Sequence, residues 1–118
     1  MPKLWYLGQP YTLFPGGEDA AFEFARQQSG LLISAGVDIV SPIVHSHPIP
    51  LTVERTYDVW LYRIDKNIAS RCDGLIRLKG PRWEESFGLG KESIWFREWG
   101  KPIVDMEPGT IPLELLLA

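Results

Sequence analysis

Cysteine is nearly absent from this chain. Cys72 is the single one among 118 residues, which excludes an intramolecular disulfide and a cysteine-built zinc cluster. A reducing compartment, the cytoplasm, is the expected setting. No run approaches the roughly 20 apolar residues of a membrane span. The beginning of the chain does not read as a signal peptide, because Lys3 is followed only by Leu4 to Leu7 before Gly8 and Pro10. Basic excess is missing too. Twelve Lys and Arg against fifteen Asp and Glu give a formal net charge of −3, which argues against coating a nucleic acid polymer. Repeats, charge runs and low-complexity stretches are not visible. What remains is 45 % hydrophobic residues, enough to bury a core, and a length that suits one domain over residues 1–118.

Glycine and proline, 21 residues together, fall between the apolar runs and punctuate them. Leu4 to Leu7 predicts a buried strand ending at Gly8. Gln9 to Gly17 is a loop. The spacing of Ala21, Phe24, Ala25, Leu31, Leu32 and Ala35 predicts a helix from about Glu18 to Ala35, opened by acids and stopped by Gly36. Val37 to Val40 is a second strand, and Ser41 to Pro50 a loop. Thr52 is a plausible N-cap for a helix reaching about Cys72, striped by Val53, Tyr57, Trp60, Leu61, Ile64 and Ile68. Gly74 to Leu78 is a third strand and Lys79 to Glu85 a loop. Ser86 to Trp99 is a third helix, and Pro102 to Val104 a fourth strand. The tail Thr110 to Ala118 is apolar and short. The order β-α-β-α-β-α-β implies an α/β fold, a parallel sheet with helices on both faces. Ligands of such sheets bind at the carboxyl ends of the strands.

Four loops lie at those ends. Ser86-Phe87-Gly88-Leu89-Gly90-Lys91-Glu92 is the most informative stretch. A hydroxyl and two glycines at a helix start let backbone approach a ligand, and the free N–H groups there suit an anion. Glu92, nearly two turns in, points at the same cleft if Gly88 clears the way. The competing reading is that both glycines serve helix–sheet packing and Glu92 is solvated. Asp65 borders the apolar stripe of its helix. A carboxyl there, if partly buried, has a raised pKa and suits general acid or base work; a salt bridge to Lys66 or Arg63 is the plainer account. Two carboxyls in unlike environments suggest glycosyl chemistry. His45 and His47 have no nearby carboxylate, which favours substrate contact or loop packing over a metal. Trp60, Trp95 and Trp99 read as core or subunit contact, whereas Trp83, in a loop, is a stacking candidate.

Tyr6-Leu7-Gly8, Asp65, Cys72-Asp73-Gly74-Leu75-Ile76, Ser86-x-Gly88-x-Gly90-x-Glu92 and Gly100-Lys101-Pro102-Ile103-Val104 together resemble the nucleoside 2-deoxyribosyltransferase superfamily. The match spans roughly Lys3 to Val104. The resemblance implies a Rossmann- or flavodoxin-like three-layer α/β/α fold with a parallel sheet of four to five strands. It implies Glu92 as a nucleophile forming a glycosyl-enzyme ester, Asp65 as the carboxyl that protonates the leaving base, and Tyr6 as the residue orienting the nucleophile. No cofactor and no metal are implied. Transferases acting on free nucleosides usually carry an acid where Ser86 stands. A serine can donate to a 5′-phosphate that a carboxylate would repel, as in the Rcl-type deoxynucleoside 5′-monophosphate N-glycosidases, and the helix N-terminus adds about 0.3–1 kcal/mol for an anion. Those transferases also often borrow an asparagine from a neighbouring subunit near the C-terminus; the one asparagine here is Asn67. Hydrolysis of a deoxynucleoside monophosphate is therefore the implied reaction, with base exchange and non-catalytic nucleotide sensing as alternatives. Ser86 and Gly88 are expected at the phosphate, Gly8, Gln9 and Trp83 around the base, and His45 or His47 near the ligand. The partner is a small nucleoside or nucleotide, with no membrane. The tail Ile111 to Leu117 and the aromatics of the third helix point to a homodimer or higher homo-oligomer.

Overall fold

The computed structural model describes residues 3–117. Four strands, β1 (Trp5–Gly8), β2 (Ile39–Val40), β3 (Gly74–Leu78) and β4 (Ile103–Met106), form one parallel sheet in the order β2-β1-β3-β4. This is the α/β architecture expected. Alternation along the strands divides the core. Trp5, Leu7, Ile76, Leu78, Val104 and Met106 point to one face. There they meet Leu32 of helix α1 (Glu18–Ser34) and Leu115 of the short α5 (Leu113–Leu116). Tyr6 and Leu75 point to the other face. Leu61, Ala69 of α3 (Lys66–Ser70), and Trp95 and Phe96 of α4 (Phe87–Glu98) cover that side. Period-two alternation on both faces yields three layers.

Local chemistry explains most element ends. Helix α1 begins with Glu18 and Asp19 in its first turn, where acids complement the helix dipole. It closes on Gly36 at φ 89°, with the Val37 amide donating to the Leu32 carbonyl at 3.0 Å. That left-handed stop favours glycine. Ser86 is the N-cap of α4, its Oγ accepting from the Leu89 amide at 3.2 Å.

Three expectations need correction. The loop Ser41 to Pro50 contains a helix, α2 (Pro42–Ser46), whose N-cap Ser41 accepts from the Val44 amide at 3.2 Å. The Ser-Pro pair is a helix-start signature, outweighed in the sequence reading by the density of prolines. The long helix from Thr52 to Cys72 is not continuous. Residues 52–59 are non-helical, Trp60–Asp65 is a π-helical turn, and only Lys66–Ser70 is α-helical. Val53 and Tyr57, a third of the supposed stripe, are exposed, and Tyr57 lies against the ring of Phe87, itself exposed, rather than in the core. The second strand is two residues long rather than four.

With β2 on one side of β1 and β3 on the other, the connections leaving β1 and β3 diverge to opposite faces. The crevice at their carboxyl ends is the switch point where open parallel sheets hold ligands.

Candidate active site

A cavity of about 600 Å³ opens at that crevice. Its walls come from the loop after β1 (Gln9, Tyr11), from the first residue of α1 (Glu18), from α2, from the 55–65 segment and from the start of α4. Asp65, Ser86, Gly88 and Glu92 all line it. The two carboxyls singled out in the sequence, 27 positions apart, therefore share one chamber.

Glu92 lies on the second turn of α4 and is 4 % exposed. The Tyr6 hydroxyl, fully buried on β1, donates to Glu92 Oε2. Gly8 makes room for this pairing. A Cβ there would lie 3.1 Å from Glu92 Oε1 and 2.9 Å from Leu89 Cδ1. Gly8 thus seats the carboxyl rather than shaping a base pocket. Gly88 and Gly90 do not serve tight packing. A Cβ on Gly88 would meet only Leu61 Cδ1, at 3.9 Å, and one on Gly90 would meet nothing within 4 Å.

Asp65 closes the π-helical turn. The salt bridge weighed for it is not formed: neither Lys66 nor Arg63 pairs with it within 4.0 Å among the described residues, and its buried Oδ1 has no hydrogen-bond partner. Burial pushes Asp65 up to about 7. Burial also pushes Glu92 up to about 8, opposed by the Tyr6 hydrogen bond and reinforced by the nearby charge of Asp65. Tyr6 is held well above its ordinary value by burial and by the same two carboxyls. Two interacting carboxyls of this kind titrate as a unit.

At the start of α4 the Ser86 Oγ caps Leu89 and keeps its O–H as a donor. The first free amides of the helix, at Phe87 and Gly88, lie beside it. The remaining candidates lie elsewhere. His45 is exposed, edge-on to Trp60. His47 does not line the cavity; it stacks on Phe22 and bridges Tyr11 Oη (2.7 Å) to Asp19 Oδ1 (2.8 Å). Trp83 sits on the outer side of α4. Arg77 and Lys79 cover its ring at 5.4 and 5.1 Å, so that face is already occupied.

Sequence reading missed Tyr11, Glu18, Arg55 and Trp60 as cavity residues. Arg55 donates through Nη2 to the carbonyls of Ser46 (3.2 Å) and Ile49 (2.8 Å) and lies 5.0 Å over the Trp60 ring. Its place in a supposed helix concealed it. Three buried polar atoms of the cavity residues have no protein partner: Gln9 Oε1, Trp60 Nε1 and Asp65 Oδ1. Buried polar groups are normally satisfied, so this clustering marks a place completed by a polar ligand or by water. Among the described residues no group of three or more His, Cys, Asp or Glu is placed to hold a metal ion. No helix of the described residues is long and apolar enough to cross a membrane.

A family model described as a domain of unknown function (DUF1937) matches residues 3–108. No curated protein matches the chain. Among solved structures, a 2-deoxyribosyltransferase from the psychrotolerant bacterium Bacillus psychrosaccharolyticus is similar. It has a TM-score of 0.63 and 19 % identity, covering 95 % of this chain and 79 % of that one. At that identity the likeness establishes the flavodoxin-like α/β fold.

Proposed function

We propose that this chain, which belongs to the DUF1937 family, cleaves the N-glycosidic bond of 2′-deoxynucleoside 5′-monophosphates by way of a glycosyl-enzyme ester. One observation carries the reading: Glu92 and Asp65, from separate elements, line one cavity at the sheet's switch point, with the Tyr6 hydroxyl donating to Glu92. The fold shared with a 2-deoxyribosyltransferase supports it.

The active form of the pair holds one proton. The reacting arrangement has that proton on Asp65 and the charge on Glu92; with values of about 7 and about 8 it is the less populated of the two, and the Tyr6 hydrogen bond raises its share. The Glu92 carboxylate attacks C1′. The C1′–N bond breaks, its electron pair leaves with the base, and the Asp65 proton neutralises the base. Water then adds at C1′, its proton passes to Asp65, and Glu92 is released. Base and deoxyribose 5-phosphate are the products. Binding a phosphate falls to the Ser86 hydroxyl and the free amides at Phe87 and Gly88, at the positive end of the α4 dipole.

Liquid chromatography of deoxynucleotides incubated with the protein tests this. The expected result is free base from the wild type and at least a thousandfold less from Glu92→Ala. Release by that variant at the wild-type rate would remove Glu92 from the mechanism. The shared fold with a 2-deoxyribosyltransferase also favours a second reading, base exchange. Adding a second free base separates the two: a new nucleoside or nucleotide indicates exchange, free sugar phosphate alone indicates hydrolysis.

A further inference from the structure

The end of the cavity formed by the loop after β1 is rich in hydrogen-bond acceptors whose direction is fixed. The Gln9 side chain is 4 % exposed, and its Nε2 donates to the carbonyls of Pro10 (3.3 Å) and Ala21 (3.2 Å). The amide therefore cannot flip, and its buried, unpartnered Oε1 is an acceptor. Tyr11 is fixed in the same sense by a relay. An exposed carboxylate can only accept, so Asp19 takes the Nε2 proton of His47. In the tautomer with a single proton, on Nε2, Nδ1 is an acceptor and Tyr11 donates to it. The phenolic oxygen is left with lone pairs for whatever enters the cavity. Glu18, on the same wall, adds a carboxylate whose charge reaches Tyr11. The donors come from the other segment: the unpartnered Trp60 Nε1, and Arg55, whose Nη2 is already spent on two carbonyls.

We infer that this end of the cavity selects a nucleobase carrying an exocyclic amine, as adenine and cytosine do, over its keto counterpart. The inference rests on the proposed function for its orientation: with phosphate at Ser86 and sugar over Glu92, the base points toward Gln9 and Tyr11. An amine brings two hydrogens to two or more acceptors. A carbonyl at the same position turns a lone pair toward the oxygens of Gln9 and Tyr11. The ring nitrogen beside the amine is an acceptor, suited to the donors of the 55–60 segment. Tyr11 is here a specificity residue, and His47 and Asp19 are positioning residues acting through it.

Calorimetric binding of adenine against hypoxanthine, and of cytosine against uracil, needs no turnover and tests the inference directly. The expected preference for the amine member is tenfold or more. Tyr11→Phe is expected to reduce it to within about threefold by weakening the amine member alone. Asp19→Lys provides a second test, since an ammonium can only donate to Nε2, which reverses the His47 tautomer and turns Tyr11 into a donor toward the cavity. The preference then narrows or inverts without loss of the fold. Equal binding of amine and keto members by the wild type would overturn the inference, as would Tyr11→Phe weakening both alike. Turnover of the matching deoxynucleotides tells the two ideas apart. Selective binding with no base released defeats the proposed function alone; base release without selectivity defeats this inference alone.

Discussion

Glu92 is a carboxyl placed where ionisation is expensive. Its folded value, about 8, stands above the ordinary glutamate value near 4.5, so the native state holds its proton more tightly than the unfolded chain does. The stability this represents is present below about pH 4.5 and is lost as pH rises through 8. Glu92→Gln carries no such charge. At pH 8 it is expected to be more stable than the wild type by roughly 2–4 kcal/mol, and at pH 4.5 nearly equal to it. Urea melts at the two pH values check this, and a variant no more stable at pH 8 would contradict it. The same substitution is expected to abolish base release, so the residue trades stability for reactivity. Tyr6→Phe removes the donor that favours the ionised Glu92. The rising limb of the pH–rate profile is then expected to move to higher pH, with kcat down about 10–100-fold and KM little changed. An unshifted limb would deny Tyr6 that role. Gly8→Ala forces a Cβ to within 3.1 Å of Glu92 Oε1 and Leu75 Cδ1 and closer still to Leu89. A loss of about 1–3 kcal/mol is expected in thermal or urea unfolding.

At the scale of elements, Ser86 has two tasks that can be separated. As N-cap it satisfies the Leu89 amide, and Ser86→Ala is expected to cost about 1 kcal/mol. Because the same substitution removes a phosphate donor, it is expected to raise KM for a monophosphate but not for the free nucleoside. Ser86→Asp keeps the cap and repels the phosphate. Kinetics of the two variants on a nucleotide and its nucleoside distinguish capping from binding. The strand β3 was legible in sequence because Gly74 to Leu78 is a short apolar run between polar loops. Helix α4 was legible because Ser86 and Gly100 mark its ends and its buried face recurs at helical spacing. The segment 52–59 was not legible. Helical spacing shows which residues would share a face but not whether a core lies against it, and here Val53 and Tyr57 stay exposed, Tyr57 against the equally exposed Phe87. The site was half legible. Glu92 and Asp65 stood out by type and position, whereas Tyr11, Arg55 and Trp60 acquire meaning only when three distant segments close around one space.

For the molecule as a whole, the sheet order decides what can meet. Tyr6 on central β1 reaches Glu92 on the helix that follows neighbouring β3, and Asp65 precedes that same strand. All three come from the chain around the switch point, so this subset of the site needs no second copy. Leu113, Leu116 and Leu117 remain exposed beside the buried Leu115. If this face joins two copies, light scattering will report a dimer or larger, and Leu116→Lys with Leu117→Lys will yield a monomer. A monomeric wild type would contradict the expectation of a homo-oligomer. The π-helical turn before Asp65 has a quieter consequence. Such a turn holds one more residue than an α-turn, so the acid's direction is counted out along the backbone rather than chosen by its neighbours. Were Trp60–Asp65 wound as ordinary α-helix with no residue removed, the carboxyl would roll roughly 100° around the axis, away from the chamber, whereas removing one residue along with the π-turn would leave it facing nearly the same way.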